Sequence, residues 1–183
     1  MTTAMPQVGE PAPSFELTDD TGTTQALEAQ RGRWVVLFFY PKDFTPGCTD
    51  EVCAFRDLSA DFAAAGATVW SVSVLDAESK ARFKAKHGLN FPLLADPDHE
   101  VAERYGVWVE KKNYGKTYFG IARTTFLVDP AGRIARVWPK VKVDGHAAEA
   151  LAAVRDLGPS LPRLERTCSG GGRQRRKNHL AST

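Results

Sequence analysis

The sequence lacks any hydrophobic stretch that approaches the about 20 residues of a membrane-spanning helix. Its first ten residues contain neither the basic segment nor the apolar segment of a secretory signal peptide. Cysteine is scarce, with three in 183 residues, and an odd number does not form a disulfide framework. These absences predict a cytoplasmic protein, in which a disulfide would be transient and catalytic rather than structural.

The sequence also lacks the spacing of a metal site, because its four histidines are scattered and no cysteine–histidine pattern suits zinc. We predict that His87, His99, His146 and His179 lie on the surface or beside helix caps. The four tryptophans are interpreted as packing residues rather than as part of a cofactor box. The sequence therefore predicts neither a cofactor nor a metal ion.

The net charge is small, at +2, but it is unevenly distributed. Residues 163–183 carry six basic residues and one acidic residue, so the other 162 residues sum to −3. A mildly acidic body does not suit nucleic-acid binding. The segment after residue 164 has no apolar periodicity, which predicts one globular domain over residues 1–164 and a basic, disordered tail over residues 165–183. Cys168, in this tail, is interpreted as a bystander thiol.

What the sequence does contain is a continuous apolar run at residues 34–40, rich in β-branched and aromatic side chains. Such a run is typical of a strand that is buried on both faces of a parallel sheet. Pro41 ends the run, and Thr45 followed by Pro46 predicts a helix start with Thr45 as its N-cap. Cys48 then falls in the first helical turn, where unpaired backbone N–H groups and the helix dipole stabilise a thiolate, the reactive form of cysteine.

A second cysteine, Cys53, follows five residues later on the same predicted helix. On an ideal helix, such positions lie about 140° apart around the axis, and their Cα atoms lie about 8.7 Å apart. A disulfide needs Cα atoms closer than about 7 Å, so the two cysteines cannot bond while both stay helical. Two interpretations are open: a redox pair that unwinds the helix in each cycle, or a Cys53 that is only a small buried apolar residue.

Strand and helix patterns alternate along the remaining sequence, which predicts an α/β fold. Apolar residues continue at helical spacing over residues 48–66, and Asp76 and Asp98 are predicted to cap two further helices. The predicted strands cover residues 67–74, 124–128 and 133–138, and the predicted helices cover residues 76–87, 100–105 and 146–157. A turn at residues 129–132 makes the last two strands an antiparallel hairpin.

Pro41, Thr45 and Cys48 match the P-x-x-x-T-x-x-C signature of the peroxiredoxins. Residues 40–57 closely resemble the bacterioferritin-comigratory, or peroxiredoxin Q, subfamily, including the second cysteine five residues after the first. Further segments that resemble this subfamily are residues 8–15, 115–126 and 141–146. The likeness extends over residues 5–158, and the tail beyond them has no counterpart in it.

The resemblance implies a thioredoxin-like α/β sandwich, with a central mixed sheet flanked by helices, and the reduction of hydrogen peroxide and organic hydroperoxides. Cys48 would be the peroxidatic cysteine, which peroxide oxidises to a sulfenic acid. Cys53 would be the resolving cysteine, which forms an intramolecular disulfide with Cys48 that thioredoxin or a similar dithiol reduces. Thr45 and Arg123 match the family's active-site threonine and arginine. Because the resolving thiol would belong to the same chain, we expect a monomer.

The residues themselves leave three roles open. Thr45 is an active-site hydroxyl, a plain N-cap or both. Arg123 is either an active-site cation whose charge favours the thiolate or an exposed residue at the start of a strand. Glu51 either pairs with Arg123 or lies on the helix surface.

Two other functions fit parts of the sequence. A general disulfide oxidoreductase or redox sensor could use the same fold, but such proteins usually carry Cys-x-x-Cys, whereas four residues separate the cysteines here. Comparing peroxide consumption with the reduction of a protein disulfide separates these two activities. A non-enzymatic binding module could instead act through the basic tail, which deletion of residues 165–183 would test.

Overall fold

The structure, a computed structural model, describes residues 3–158. The predicted domain boundary at residue 164, the tail over residues 165–183 and Cys168 lie outside this range. Among residues 3–158, no helix has the length and apolar character that crossing a membrane requires.

The described residues form nine strands and five α-helices. The strands are β1 (Glu16–Asp19), β2 (Thr24–Ala26), β3 (Trp34–Phe39), β4 (Ala67–Ser73), β5 (Leu93–Ala95), β6 (Trp108–Asn113), β7 (Lys116–Ile121), β8 (Thr124–Val128) and β9 (Ile134–Trp138). The helices are α1 (Pro46–Asp57), α2 (Ser59–Ala64), α3 (Ala77–His87), α4 (Glu100–Arg104) and α5 (His146–Leu157).

Seven of these strands form one mixed sheet in the order β2-β1-β5-β4-β3-β8-β9. Strands β3, β4 and β5 run parallel, whereas β8 pairs antiparallel with β3, and β9 pairs antiparallel with β8. Strands β6 and β7 form a separate antiparallel hairpin. The predicted α/β fold, with a central mixed sheet flanked by helices, is confirmed.

The central strand β3 is buried on both faces, as its sequence predicts. Val36 and Phe38 face the core that α1, α2 and α5 cover. Leu37 and Phe39 face the second core, together with Trp70 of β4. This alternation follows from the strand geometry, in which successive side chains point to opposite faces. The loop after β3 therefore starts from a rigid, fully packed part of the sheet.

The helix predicted over residues 48–66 is wrong in one respect, because the structure divides it in two. Leu58, with φ −101° and ψ 6°, separates α1 from α2. The break turns the chain so that Phe62 of α2 enters the same core as Phe55 of α1, with 5.7 Å between the ring centroids. A single straight helix does not follow this surface of the sheet.

Of the two predicted caps, one is confirmed and one is wrong. The Asp76 carboxylate accepts a hydrogen bond from the Ser79 N–H at 2.8 Å, so Asp76 caps α3 as predicted. Asp98 does not cap α4. Asp96, which directly follows β5, instead accepts a hydrogen bond from the Ala102 N–H at 2.8 Å. The turn between β5 and α4 brings this earlier carboxylate to the helix start.

His146 lies beside a helix cap, one of the two positions predicted for it, but its side chain is buried. It begins α5, and its Nε2 lies 2.8 Å from the Thr125 hydroxyl on β8. Its ring lies edge-on against Phe55 and Trp138. Burial lowers the pKa of His146, so the neutral ring is favoured.

The β6–β7 hairpin is absent from the sequence-based prediction, as is the β1–β2 hairpin. Most side chains of β6 and β7 are partly or fully exposed, so no buried face marks these strands in the sequence. The available signal is the two-residue turn at Tyr114 and Gly115, which both have positive φ, as type I′ hairpin turns require. This hairpin matters because it forms one wall of a groove beside the loop that follows β3.

Candidate active site

The loop between β3 and α1 carries Thr45, which occupies the N-cap position with an extended backbone (φ −90°, ψ 147°). This position is as predicted, but the Thr45 hydroxyl caps no helix N–H. It donates instead to the carbonyl oxygen of Lys42 at 2.9 Å. The preceding residue, Phe44, has φ 62°, a conformation that non-glycine residues rarely adopt. The chain thus makes a strained turn just before the helix starts.

Cys48 is the third residue of α1, and only 1% of it is exposed. Its sulfur lies 3.2 Å from Nη2 of Arg123. Arg123 directly precedes β8, which pairs with β3, so the central sheet supports the guanidinium near the start of α1. Gly47 allows this close approach, since a Cβ at that position would lie 3.3 Å from Nη2. The sulfur of Cys48 therefore lies in direct contact with a positively charged group.

Glu51 pairs with Arg123, which answers the question that the sequence left open. Nη1 of Arg123 donates to Oε2 of Glu51, while Oε1 has no hydrogen-bond partner among the described residues. Burial raises the pKa of Glu51 to about 7, although the Arg123 charge opposes this rise. Burial lowers the pKa of Arg123, but Glu51 and Cys48 outweigh burial and the pKa is raised. The guanidinium therefore bridges a carboxyl group and the sulfur.

The raised pKa of Glu51 predicts a pH-dependent stability. Because the folded pKa of about 7 exceeds the ordinary value of 4.5, the stability from Glu51 is full below pH 4.5 and is lost as the pH rises to about 7. Glu51→Gln cannot ionise, so its stability relative to the parent should increase by about 3 kcal/mol across this range. Urea unfolding of both proteins at pH 5 and pH 8, in a Cys48→Ser background, measures this difference. A difference that does not change with pH would show that Glu51 stays ionised throughout.

Cys53 also lies in α1, is half-buried and packs against the core beneath that helix. Cys48 and Cys53 are both free thiols in the described part of the chain. With both residues helical, ideal geometry separates their Cα atoms by about 8.7 Å, beyond the reach of a disulfide. The structure thus represents the reduced state of the two thiols, with α1 intact.

A groove beside the loop has a volume of about 510 Å³, and Thr45 lines it whereas Cys48 and Arg123 do not. We refer to it as the active-site groove because it adjoins the loop that carries Thr45. Its walls include Pro41, Thr45, Trp108, Lys111, Tyr118 and Phe119. Burial lowers the pKa of Lys111, with Arg123 acting in the same direction and Cys48 opposing them. Sequence reasoning missed the groove and Lys111 because both depend on the β6–β7 hairpin.

Among residues 3–158, no three side chains of His, Cys, Asp or Glu lie close enough together to hold a metal ion. The polar contact of the Cys48 sulfur is the guanidinium of Arg123, which also bonds to the carboxyl group of Glu51.

A mixed sheet flanked by helices, with a buried cysteine at a helix start and an arginine on its sulfur, defines a thiol oxidoreductase of thioredoxin-like fold. The AhpC/TSA family model matches residues 8–137. The chain therefore belongs to the AhpC/TSA family, and within it to the bacterioferritin-comigratory, or peroxiredoxin Q, group of peroxiredoxins, which are peroxide-reducing oxidoreductases.

The chain matches nearly the whole length of several named relatives. Peroxiredoxin Bcp of Bacillus subtilis (strain 168) is 48% identical over 151 residues, which cover 82% of this chain and 96% of that protein. Peroxiredoxin Bcp of Escherichia coli (strain K12) is 43% identical over 140 residues, covering 76% of this chain and 90% of that protein. The solved structure of the Xanthomonas campestris bacterioferritin comigratory protein, described for its alkyl peroxide reduction activity, has a TM-score of 0.79 at 39% identity and covers 84% of this chain and 100% of that chain.

Proposed function

We propose that Cys48 is the peroxidatic cysteine of this peroxidase, that Cys53 resolves its sulfenic acid, and that thioredoxin or a similar dithiol recycles the disulfide. The observation that carries the proposal is the 3.2 Å contact between the Arg123 guanidinium and the buried sulfur of Cys48 at the start of α1. In the proposed mechanism, Thr45 and Arg123 are the catalytic hydrogen-bond donors. We further propose that the protein acts as a monomer in the cytoplasm.

The first step is attack by the Cys48 thiolate on one peroxide oxygen. A sulfur–oxygen bond forms as the oxygen–oxygen bond breaks, so sulfur loses two electrons and becomes a sulfenic acid. The departing oxygen takes up a proton and leaves as water or as an alcohol. Donors aimed at the developing charge stabilise such a transition state. Arg123 supplies a permanent charge there, and the Thr45 hydroxyl can rotate from its bond to Lys42 toward the bound peroxide.

The second step is attack by the Cys53 sulfur on the sulfenic sulfur of Cys48. A disulfide forms, and the hydroxyl group leaves as water with one proton. Because both residues are helical in the reduced state, part of α1 must unwind before the sulfur atoms can bond. A dithiol partner then reduces the disulfide through two thiol–disulfide exchanges, which return two electrons and two protons to the cysteines.

The active-site groove supports organic hydroperoxides as substrates alongside hydrogen peroxide. Trp108, Tyr118 and Phe119 give it aromatic walls, and it opens next to Thr45 on the loop. Its volume of about 510 Å³ is far larger than hydrogen peroxide requires. The Xanthomonas campestris relative is described as reducing alkyl peroxides, which favours the same substrate class for this chain.

Intact-mass measurement after one equivalent of peroxide tests the proposal. The expected result is the loss of two hydrogens, which marks an internal disulfide. The matched control is Cys168→Ser, which should give the same mass change, whereas Cys53→Ser should instead gain oxygen at Cys48. Loss of the disulfide in Cys168→Ser, or a dimer joined by it, would overturn the assignment of Cys53. Removing residues 165–183 should leave peroxidase activity intact, because no tail residue takes part in the proposed steps.

Arg123→Met should slow the single-turnover oxidation of Cys48 by about 100-fold or more, because it removes a charged donor beside the sulfur that can stabilise the departing oxygen. Stopped flow with one equivalent of peroxide gives the rate. Arg123→Lys is the control: it keeps the positive charge and should keep more of the parent rate. A parent-like rate in Arg123→Met would remove Arg123 from the proposed mechanism.

A further inference from the structure

A group of buried polar side chains lies behind the active-site loop, and we refer to it as the Asp43 cluster. Its members are Tyr40, Asp43, Ser73, Ser79 and Lys80. They come from four separate places in the fold: the end of β3, the loop itself, the end of β4 and the first turn of α3. The cluster therefore joins the loop to two strands of the central sheet and to helix α3.

The centre of the cluster is an ion pair between Lys80 and Asp43, whose side chains are both 0% exposed. Nζ of Lys80 lies 3.2 Å from Oδ1 of Asp43 and donates to Oη of Tyr40 at 2.9 Å. The Ser79 hydroxyl donates to Oδ2 of Asp43 at 3.2 Å. The Tyr40 hydroxyl donates to Oδ1 of the same carboxylate, and Lys80 also donates to Ser73. Asp43 is thus held from several directions at once.

A contribution to the free energy of unfolding does not by itself explain why a buried ion pair occupies this position. Taking both charges out of water is costly, and apolar residues of similar volume often serve the folded state as well or better. Burial lowers the pKa of Lys80, while the Asp43 carboxylate opposes that shift. What the pair achieves is a fixed position for Asp43, and Asp43 lies two residues before Thr45 and five residues before Cys48.

The loop needs such a fixed point because Phe44, between Asp43 and Thr45, has φ 62°. A strained residue persists only where its surroundings hold it in place. Phe44 is 45% exposed, and its ring contacts α3 through Phe83, at 5.0 Å between ring centroids, and through Lys86, whose Nζ lies 5.6 Å from the ring centroid. The stronger restraint on this turn is therefore the buried carboxylate of Asp43.

We infer that the Lys80–Asp43 pair is a positioning device for the reaction at Cys48, because it holds Thr45 and the first turn of α1 in register with Arg123. The arginine is supported separately, by β8, so the two halves of the site stay aligned only while the loop keeps its place. Lys80 touches no reacting atom and acts through Asp43. This inference rests on the proposed function, since it assigns the pair a role in the oxidation of Cys48.

The test compares Lys80→Met with Lys84→Met, a matched control on the same helix. Lys84 pairs with Asp20 at 3.0 Å, in a partly buried ion pair that does not involve the loop. At a temperature where urea titration shows each variant to be fully folded, Lys80→Met should oxidise Cys48 about 10- to 100-fold more slowly, because a displacement of about 1 Å has effects of this size. Lys84→Met should lose stability but oxidise Cys48 at the parent rate.

Amide exchange provides a second measurement. Loss of a residue that only stabilises the fold would not change the exchange rate of the loop specifically. Lys80→Met should exchange faster over residues 43–49 of the reduced protein, while Lys84→Met should not. If folded Lys80→Met keeps both the parent oxidation rate and the parent exchange over these residues, the pair serves stability alone and the inference is wrong. Should the parent itself fail to react with peroxide, the proposed function fails, and the exchange measurement still decides whether the pair positions the loop.

A second variant keeps the test decisive if Lys80→Met does not fold. Ser79→Ala removes one hydrogen bond to Asp43 and leaves both charges in place. The backbone N–H of Ser79 still bonds to Asp76, so the start of α3 is preserved. The expected result is an oxidation rate roughly 2- to 10-fold below that of the parent, as the loss of one hydrogen bond predicts. Where Lys80→Met does not fold, a parent-like rate together with parent-like exchange over residues 43–49 in Ser79→Ala would overturn the inference.

Discussion

Replacing Cys48 with serine should abolish peroxide reduction. Serine has nearly the same shape, but its hydroxyl is neither ionised near neutral pH nor able to form a sulfenic acid. No other described cysteine lies in the first turn of a helix, and Cys53, in the middle of α1, has no hydrogen bond to Arg123. Steady-state peroxide consumption with a thioredoxin system should therefore fall to the level without enzyme. The expected difference between the parent and Cys48→Ser is therefore the whole enzymatic rate.

Cys53→Ser is the informative companion to this variant. It should consume about one equivalent of peroxide and then stall or over-oxidise, because the sulfenic acid lacks its nearby partner thiol. Cys168→Ser is the control for the remaining cysteine and should turn over as the parent does. Substantial turnover by Cys48→Ser would show that Cys48 is not the peroxidatic cysteine. Steady turnover by Cys53→Ser would show that Cys53 is not needed to resolve the sulfenic acid.

The local sequence around Cys48 predicts its backbone setting well because short-range rules govern it. The apolar run, the N-cap position of Thr45 and the proline at N1 all occur as expected. What these rules do not predict is the direction of the Thr45 hydroxyl, which bonds to Lys42 rather than to the helix. That choice depends on the tight turn around Phe44, and a turn of this kind is set by tertiary contacts rather than by local preference.

The contacts that join distant parts of the chain were harder to predict. Arg123 approaches Cys48 because β8 lies next to β3, a pairing between segments that are far apart in sequence. The family resemblance suggested Arg123, but residue patterns alone favoured an exposed strand end. Lys80 is a stronger example, since a lysine in an amphipathic helix is expected to face solvent. Only the convergence of four elements shows that its partner is the buried Asp43.

The sequence also showed no sign that the His146 side chain is buried or that a groove lies beside the loop. His146 fills a core position because the Thr125 hydroxyl satisfies its ring nitrogen, which no pattern of spacing indicates. The groove is formed by aromatic residues of a hairpin whose strands are mostly exposed, so the usual alternation of buried and polar positions is missing. In both cases the functional or packing role follows from tertiary position and not from local sequence.

Oxidation by peroxide should unfold the start of α1. The disulfide proposed between Cys48 and Cys53 requires Cα atoms within about 7 Å, against about 8.7 Å in the helix. Losing one to two turns removes several backbone hydrogen bonds, each worth about 0.5–1.5 kcal/mol net. The disulfide's constraint on a short loop offsets part of this loss. Oxidised protein should therefore show faster amide exchange over residues 46–58, lower helicity and a lower melting temperature.

The structure indicates where within α1 this unfolding should stop. Phe55 is fully buried and stacks on Phe38 of β3, with 4.4 Å between the ring centroids. Unwinding past Phe55 would expose this ring, at a cost of about 1.5–3 kcal/mol for a large apolar side chain. Toward the N-terminus, the Asp43 cluster holds the loop. The largest increase in exchange is thus expected between these two anchors, over residues 46–52, with a smaller increase over residues 53–58.

Hydrogen exchange of reduced and peroxide-treated samples decides this prediction, with Cys53→Ser as the matched control. That variant forms no disulfide with Cys48, so brief peroxide treatment should leave α1 protected. Equal protection of residues 46–58 in the reduced and oxidised parent would show that Cys53 is not the partner, and Cys168 or a second chain would take its place. Faster exchange in the parent alone would tie the unfolding to this disulfide, and it would explain how a buried sulfur becomes accessible to a reducing dithiol.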